Sequence, residues 1–315
     1  MPAAEIDVDV PLTRALLAEQ HPDLAGLPLE IVAHGWDNVM VRLGDDLAVR
    51  LPRRALAAPL VEHEAAALPA LADRLRDAVP DVVVPVPVRV GGPSSALGYP
   101  WSWTVVPWAD GVSAEATPVA ARTAWAGTYG RLLAALHVPA PADAPPNPVR
   151  GVPLARRVEA RDPAALDERL GHVPPDLRDV ARRLWDRAVE APAHDGPSVW
   201  LHGDPHPANL VAAPGGGARP DRLAAVVDWG DVTSGDPASD LGEVWLCFDA
   251  RGRADCRAAV QASANGGHGW DDATWLRAAG WALLYATNML AHADLHPRML
   301  PIGRHALAAL LDEAA

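Results

Sequence analysis

Residues 200–210 read Trp-Leu-His-Gly-Asp-Pro-His-Pro-Ala-Asn-Leu, placing the carboxylate of Asp204 five residues before the carboxamide of Asn209 in a loop between apolar segments. Nineteen residues after Asn209, the apolar run Val226-Val227 ends in a second acid, Asp228. A carboxylate that can accept an alcohol proton, together with hard oxygen ligands for Mg²⁺ from two places in the chain, is the part list of phosphoryl transfer. Taken singly, acids and amides in loops more often cap helices and turns. A rival chemistry would use His202, Asp204 and His206 as a zinc or iron cluster, because residues two apart in an extended segment share a face. That alternative leaves Asn209 and Asp228 without a purpose.

The elements that must position these residues fall into two groups. Before residue 107 the pattern is α+β: an amphipathic helix over 11–24, strands over 29–32, 38–43 and 47–51 with a Gly44-Asp45-Asp46 hairpin turn, and an alanine-rich helix over 55–76. A proline-interrupted edge strand over 81–90 and a strand over 101–106 complete it. Beyond Gly111 helices dominate, with candidates over 117–137, 174–191, 237–247, 272–292 and 302–313. Short strands over 199–201, 210–212 and 223–227 carry the chemical loop. A proline- and alanine-rich linker spans 138–148.

Composition narrows the function. The chain has 315 residues, half of them hydrophobic, and a formal charge of -13, which argues against nucleic-acid binding because that needs a basic footprint. The longest uncharged stretch, 90–109, is broken by glycine and proline, so a membrane span is not expected, and the acidic start lacks a secretory pattern. A cytoplasmic protein is the expectation. Two cysteines give neither a disulfide framework nor a zinc site. There is no lysine, so any phosphate grip must use arginine.

The pattern His202-Gly203-Asp204, His206 and Asn209, followed by Asp228-Trp229, Gly235-Asp236-Pro237 and Asp240-Leu241, resembles the aminoglycoside phosphotransferase family, which includes macrolide-kinase-like members. The resemblance implies an α+β, bilobal protein-kinase-like fold, with a small mixed β-sheet lobe over 1–107 and a large helical lobe over 108–315. It implies transfer of the terminal phosphoryl group of ATP or GTP to a small-molecule hydroxyl with Mg²⁺. By motif position Asp204 would be the catalytic base and Asn209 and Asp228 the magnesium ligands, with His202 and His206 supporting the loop. The turn containing Gly35, Trp36 and Asn38 would cover the phosphates. Arg50 stands where kinase-like proteins place a lysine, with Glu64 its ion-pair partner and Glu62 the second choice. The segment through Val106 and Trp108 would read the nucleobase edge through its backbone.

For the acceptor, Asp231, Glu243 and Trp281 are the candidates. The acidic balance points first to an aminoglycoside. Trp281 and Tyr285, four apart on one helix face, point to a macrolide or other lipophilic alcohol. A catalytically silent nucleotide-binding module is the reading of a different class that the missing lysine suggests.

Overall fold

The computed structural model describes residues 4–35, 37–216 and 221–314. Helix α1 (Val10–Gln20) starts where Asp9 accepts from the Leu12 amide at 2.7 Å and Pro11 occupies the first turn. It ends at Gln20, earlier than the expected 24, and buries Leu16 and Leu17 on the sheet. Strands β1 (Leu29–His34), β2 (Asn38–Leu43), β3 (Leu47–Pro52), β4 (Arg89–Gly91) and β5 (Trp103–Pro107) form one antiparallel sheet in the order β1-β2-β3-β5-β4. Alternation along β3 sends Val49 and Leu51 into a core with Val39, Val41, Trp103 and Val105, while Arg50 lies on the opposite face.

Helix α2 (Ala58–Ala78) packs between that sheet and the rest of the chain. Its Leu68, Leu71 and Leu75 join the larger core, and Glu64 is buried one turn earlier. The expected edge strand over 81–90 shrinks to β4. Its prolines lack ladder donors, and the preceding segment is tied instead to the strand before Asp228, Val83 donating to Ala224 at 2.8 Å and accepting from Val226 at 3.1 Å.

The helical candidates hold with more breaks than expected. Residues 117–137 divide into α3 (Val119–Arg122) and α4 (Ala126–Leu136), separated at Trp125, whose ring packs edge-on against Phe248 at 5.0 Å. Two short helices absent from the sequence reading follow the linker, α5 (Val158–Arg161) and α6 (Pro163–Leu170), before α7 (Arg178–Glu190). The candidate over 237–247 becomes α8 (Ala238–Leu241) and α9 (Val244–Cys247). The bend between them lets Gly242 approach α11 so closely that a Cβ would lie 2.9 Å from the Ala278 carbonyl. Then come α10 (Ala250–Ser263), α11 (Asp272–Ala291) and α12 (Leu300–Ala314).

The small strands form two further sheets. β6 (Val112–Ser113), β8 (Leu210–Ala213) and β9 (Arg222–Val226) make one, and β7 (Val199–Leu201) with β10 (Thr233–Gly235) the other. Neither β6 nor β10 stands out in the sequence. Together they clamp both ends of the loop that carries Asp204.

Candidate active site

The loop after β7 is fixed by buried hydrogen bonds. The Asp240 carboxylate, fully buried at the start of the helical region, accepts from the amides of His202 at 2.8 Å and Gly203 at 3.0 Å, and meets His137 Nε2 at 3.3 Å. Asp240 thereby braces the loop. Tyr129 donates to the Pro205 carbonyl at 2.9 Å, and Asn209 Nδ2 donates to the Asp204 carbonyl at 2.9 Å. Gly203 has φ of 91°, and a Cβ there would lie 2.3 Å from the Asp231 carbonyl oxygen, so a side chain is excluded on both counts.

His202 supports the loop and does not join a metal cluster. Its ring lies 4.4 Å from that of Trp229, Nε2 faces the Val227 carbonyl at 3.1 Å and Nδ1 accepts from the Asp204 amide at 3.3 Å. His206 stands closer to the chemistry, with Nε2 3.3 Å from Asp204 Oδ2. The other carboxylate oxygen of Asp204 bonds the guanidinium of Arg150. Burial by itself would raise the Asp204 pKa, but Arg150 and His206 outweigh it and hold the carboxyl well below the usual carboxylate range.

On the other side of the loop, Asn209 and Asp228 are brought together: the Asn209 carbonyl accepts from the Val227 amide at 2.9 Å, one residue before Asp228. Asp228 adopts a left-handed backbone (φ 61°, ψ 62°), a conformation a non-glycine residue keeps only when its surroundings impose it, and its side chain is 55% exposed. Asn209 therefore offers an amide oxygen and Asp228 an accessible carboxylate, a pair of hard oxygen donors that fits Mg²⁺.

Arg50, 5% exposed, binds this region to the sheet. It pairs with Glu64, as expected, and Nη2 also reaches Asp228 Oδ1 at 2.6 Å, a contact the sequence reading did not anticipate. Glu64 in turn accepts from the Trp229 amide at 3.0 Å; burial raises its pKa against the pull of Arg50. With its amide oxygen turned inward, Asn38 accepts from Arg50 Nε at 3.3 Å and Nη2 at 3.1 Å. The Gly35 amide bonds the Asn38 carbonyl at 2.8 Å, and a Cβ at Gly35 would lie 2.9 Å from that oxygen. Trp36, also part of this turn, lies outside the described residues. Val106 is buried opposite Ala48, and the Trp108 amide is taken by the Asp46 carbonyl at 2.8 Å, so at Trp108 a nucleobase could be met by the carbonyl only.

Asp204 also forms part of a cavity of about 440 Å³ whose lining includes Glu243, Trp281 and Tyr285. Two of the three acceptor candidates are therefore there. Asp231 is not among its lining residues; it accepts from Asn147 Nδ2 at 2.9 Å behind the loop, and burial followed by the nearby Asp204 charge raises its pKa. Glu243 is 1% exposed, and burial together with Asp204 pushes its pKa up to about 8. The sequence reading missed Arg150, Arg157, Glu159 and Arg169, which form the charged wall. They follow a proline-rich linker with no motif around them, and only the fold carries them to the cavity. A larger cavity, about 1120 Å³, opens near the far end of α4 beside His137 and Trp270 and does not include Asp204.

The profile of the phosphotransferase enzyme family matches residues 28–281. Among solved structures, the chain is similar to the GDP and kanamycin complex of APH(2")-IIia, with 18% identity and a TM-score of 0.62 over 96% of this chain and 97% of that one. It is also similar to macrolide 2'-phosphotransferase MphH from Brachybacterium faecium, with 24% identity and a TM-score of 0.52 over 96% and 98% of the two chains. A thermostable mutant of aminoglycoside phosphotransferase APH(4)-Ia, in ternary complex with AMP-PNP and hygromycin B, gives 13% identity and a TM-score of 0.56 over 96% and 98%. Identities this low establish a shared fold. No curated protein matches the sequence.

Proposed function

The chain belongs to the phosphotransferase enzyme family, and from that premise we propose that it moves the terminal phosphoryl group of ATP or GTP to a hydroxyl of a small molecule held in the cavity beside Asp204. The observation that carries this reading is the position of one loop between two sites: Asp204 lines the cavity, while the Asn209 carbonyl accepts from the amide of Val227, the neighbour of Asp228, which pairs with Arg50. We place the boundary of the two lobes at residue 107, and the protein in the cytoplasm; no described helix is long and apolar enough to cross a membrane.

In this mechanism the acceptor hydroxyl is oriented by the Asp204 carboxylate. Its oxygen forms the new bond to the terminal phosphorus as the bond to the bridging oxygen of the nucleotide breaks, and its proton passes to Asp204 and then to solvent. A carboxyl held so acidic by Arg150 and His206 is a weak base, which suits a loose transition state in which proton transfer comes late and orientation matters most. Mg²⁺, held by Asn209 and Asp228, would neutralise charge on the phosphates. Arg50 would contribute its fork to the phosphates, with Glu64 fixing it from behind and Asn38 and Gly35 shaping the turn above.

For the acceptor, two of the similar structures contain kanamycin or hygromycin B, and a third is a macrolide kinase. The overall acidity supports an aminoglycoside. The cavity itself supports the second reading, a less cationic alcohol lying on Trp281 and Tyr285, because the carboxylates of Asp204 and Glu159 are already paired with arginine. The test is transfer of labelled terminal phosphate from ATP and from GTP, with Mg²⁺, across aminoglycosides, macrolides and simple polyols, using Asp204→Asn as control. Nucleotide binding without transfer to any acceptor would favour the silent module, for which the full engagement of Arg50 by Asn38, Glu64 and Asp228 speaks.

A further inference from the structure

The charged groups of the cavity beside Asp204 describe the acceptor more closely, granted that this cavity is the acceptor site. Its guanidiniums are Arg150, Arg157 and Arg169, and its carboxyls Asp204, Glu159 and Glu243. Both ionised carboxyls are already neutralised. Glu159, 2% exposed, lies 3.5 Å from Arg157 and 3.2 Å from Arg169, and Asp204 sits between Arg150 and His206.

Glu243 adds no charge at neutral pH, since burial and the Asp204 carboxylate keep it protonated up to about pH 8. Neither of its oxygens has a hydrogen-bond partner among the described residues, so it presents a neutral acid, able to donate one bond and accept another. Three guanidiniums against two carboxylates leave the wall positive. An ammonium finds no vacant anion there.

The arginines, by contrast, keep donors in reserve. Among the described residues the Arg150 side chain makes one hydrogen bond, to Asp204, out of the five N–H groups a guanidinium carries. It stacks over Tyr285 at 4.9 Å from the ring centroid, and Arg157 stacks over Trp281 at 5.5 Å. Stacking occupies the faces of the two guanidiniums; Arg157 donates from Nη1 to the Val149 carbonyl at 3.2 Å and turns Nε toward Glu159, so its Nη2, together with the unused N–H groups of Arg150, is left for a planar or tetrahedral oxyanion.

We propose that the acceptor is a hydroxyl compound carrying an oxyanion, a carboxylate or a phosphate ester, bound by Arg150 and Arg157, and that Arg150 is the residue linking acceptor identity to the catalytic carboxylate. An oxyanion that takes the spare N–H groups of Arg150 sits beside Asp204 and brings the acceptor hydroxyl to that carboxylate. A polyammonium acceptor would have to displace Arg150 and add positive charge to a surplus, the like-charge juxtaposition that excludes wrong partners.

The test is binding to the full chain without nucleotide, followed by titration calorimetry and thermal shift, with gluconate, glucose 6-phosphate, sorbitol and kanamycin as probes. One or both anionic probes are expected to bind at least about tenfold more tightly than sorbitol, the worth of one charge-assisted pair. Which of the two binds better separates carboxylate from phosphate. The preference should vanish in Arg150→Gln and in Arg157→Gln and survive in part in Arg150→Lys, which keeps the charge and serves if the glutamine variants fold poorly. Tightest binding by kanamycin, no anionic probe binding above sorbitol, or an anion preference unchanged in both glutamine variants would overturn the proposal. Because these are binding measurements, they stand apart from the kinase reading, which fails or holds on Asp204-dependent phosphoryl transfer.

Discussion

The loop that carries Asp204 and the cavity wall it faces are built in opposite ways. In the loop, the His202 and Gly203 amides, the Pro205 carbonyl and the Asn209 amide group all have partners, most of them buried, and one carboxylate, Asp240, serves two of them. In the wall, Glu243 and Trp281 keep buried polar atoms without a partner among the described residues, and Arg150 makes one bond where it could make several. A fully satisfied network is rigid and expensive to disturb; unmet hydrogen-bonding capacity is what a ligand can complete. Under the proposed function, the region assigned the step common to every alcohol is over-determined, and the region assigned the choice of alcohol holds its polar groups in readiness.

The contrast predicts where mutations act. Asp204→Asn should lower the rate of phosphoryl transfer by roughly 10³-fold or more while leaving nucleotide affinity near that of the parent, as single-turnover kinetics and calorimetry would report; removing the charge that pairs with Arg150 and His206 also lowers the melting temperature, so rates are compared where both proteins are folded. A smaller loss would mean that the carboxylate orients nothing.

Asp240→Ala should act on folding. It strands two buried amides and the His137 ring at once, and breaking such a buried cluster costs about 3–5 kcal/mol, measurable by urea unfolding. Arg157→Gln, on the wall, should cost less in the same assay, because Glu159 keeps its second partner, Arg169, at 3.2 Å. If the two variants were equally destabilised, the division between a rigid loop and an adaptable wall would collapse.

Gly203→Ala comes next, at about 2 kcal/mol or more. It combines left-handed backbone strain with a Cβ that would press on the Asp231 carbonyl at 2.3 Å. Its loss of transfer should exceed its loss of stability if the loop must hold Asp204 to within a fraction of an ångström.

The same contrast explains what the sequence revealed. Asp204 and Asn209 stood out as candidates because a tight loop between short strands puts them into one stretch, where spacing is informative, and Asp228 because an acid ends an apolar run. The Arg50–Glu64 pair was legible through the family resemblance, which put a strand cation opposite a glutamate of the following helix, while alternation along the strand told only which side Arg50 faces. Arg150 was not, since it reaches Asp204 across 54 positions, from an irregular segment without periodicity. The break in the helix at Trp125 and the retreat of the strand over 81–90 were hidden for a related reason: a buried indole and a proline's missing donor act through tertiary partners that local propensity does not see.

The last test probes the wall's protonated acid. Glu243 has a folded pKa near 8, against an ordinary value of 4.5. Between those two pH values the native protein holds a proton that the unfolded chain has released, so stability contributed by this group falls as pH rises through the window and is level beyond it. Glu243→Gln removes that slope. Its stability relative to the parent should therefore climb from pH 5 to pH 8 and then stay flat, with a slope of at most about 1.4 kcal/mol per pH unit. Taking the difference between the two proteins at each pH cancels the titrating groups that do not interact with Glu243; His206, whose pKa the Glu243 charge raises, does interact with it and keeps a share of the difference. A difference that does not change from pH 5 to pH 8 would mean that Glu243 is ionised at neutrality. The wall would then hold a free anion after all, and a cationic acceptor would regain its binding partner.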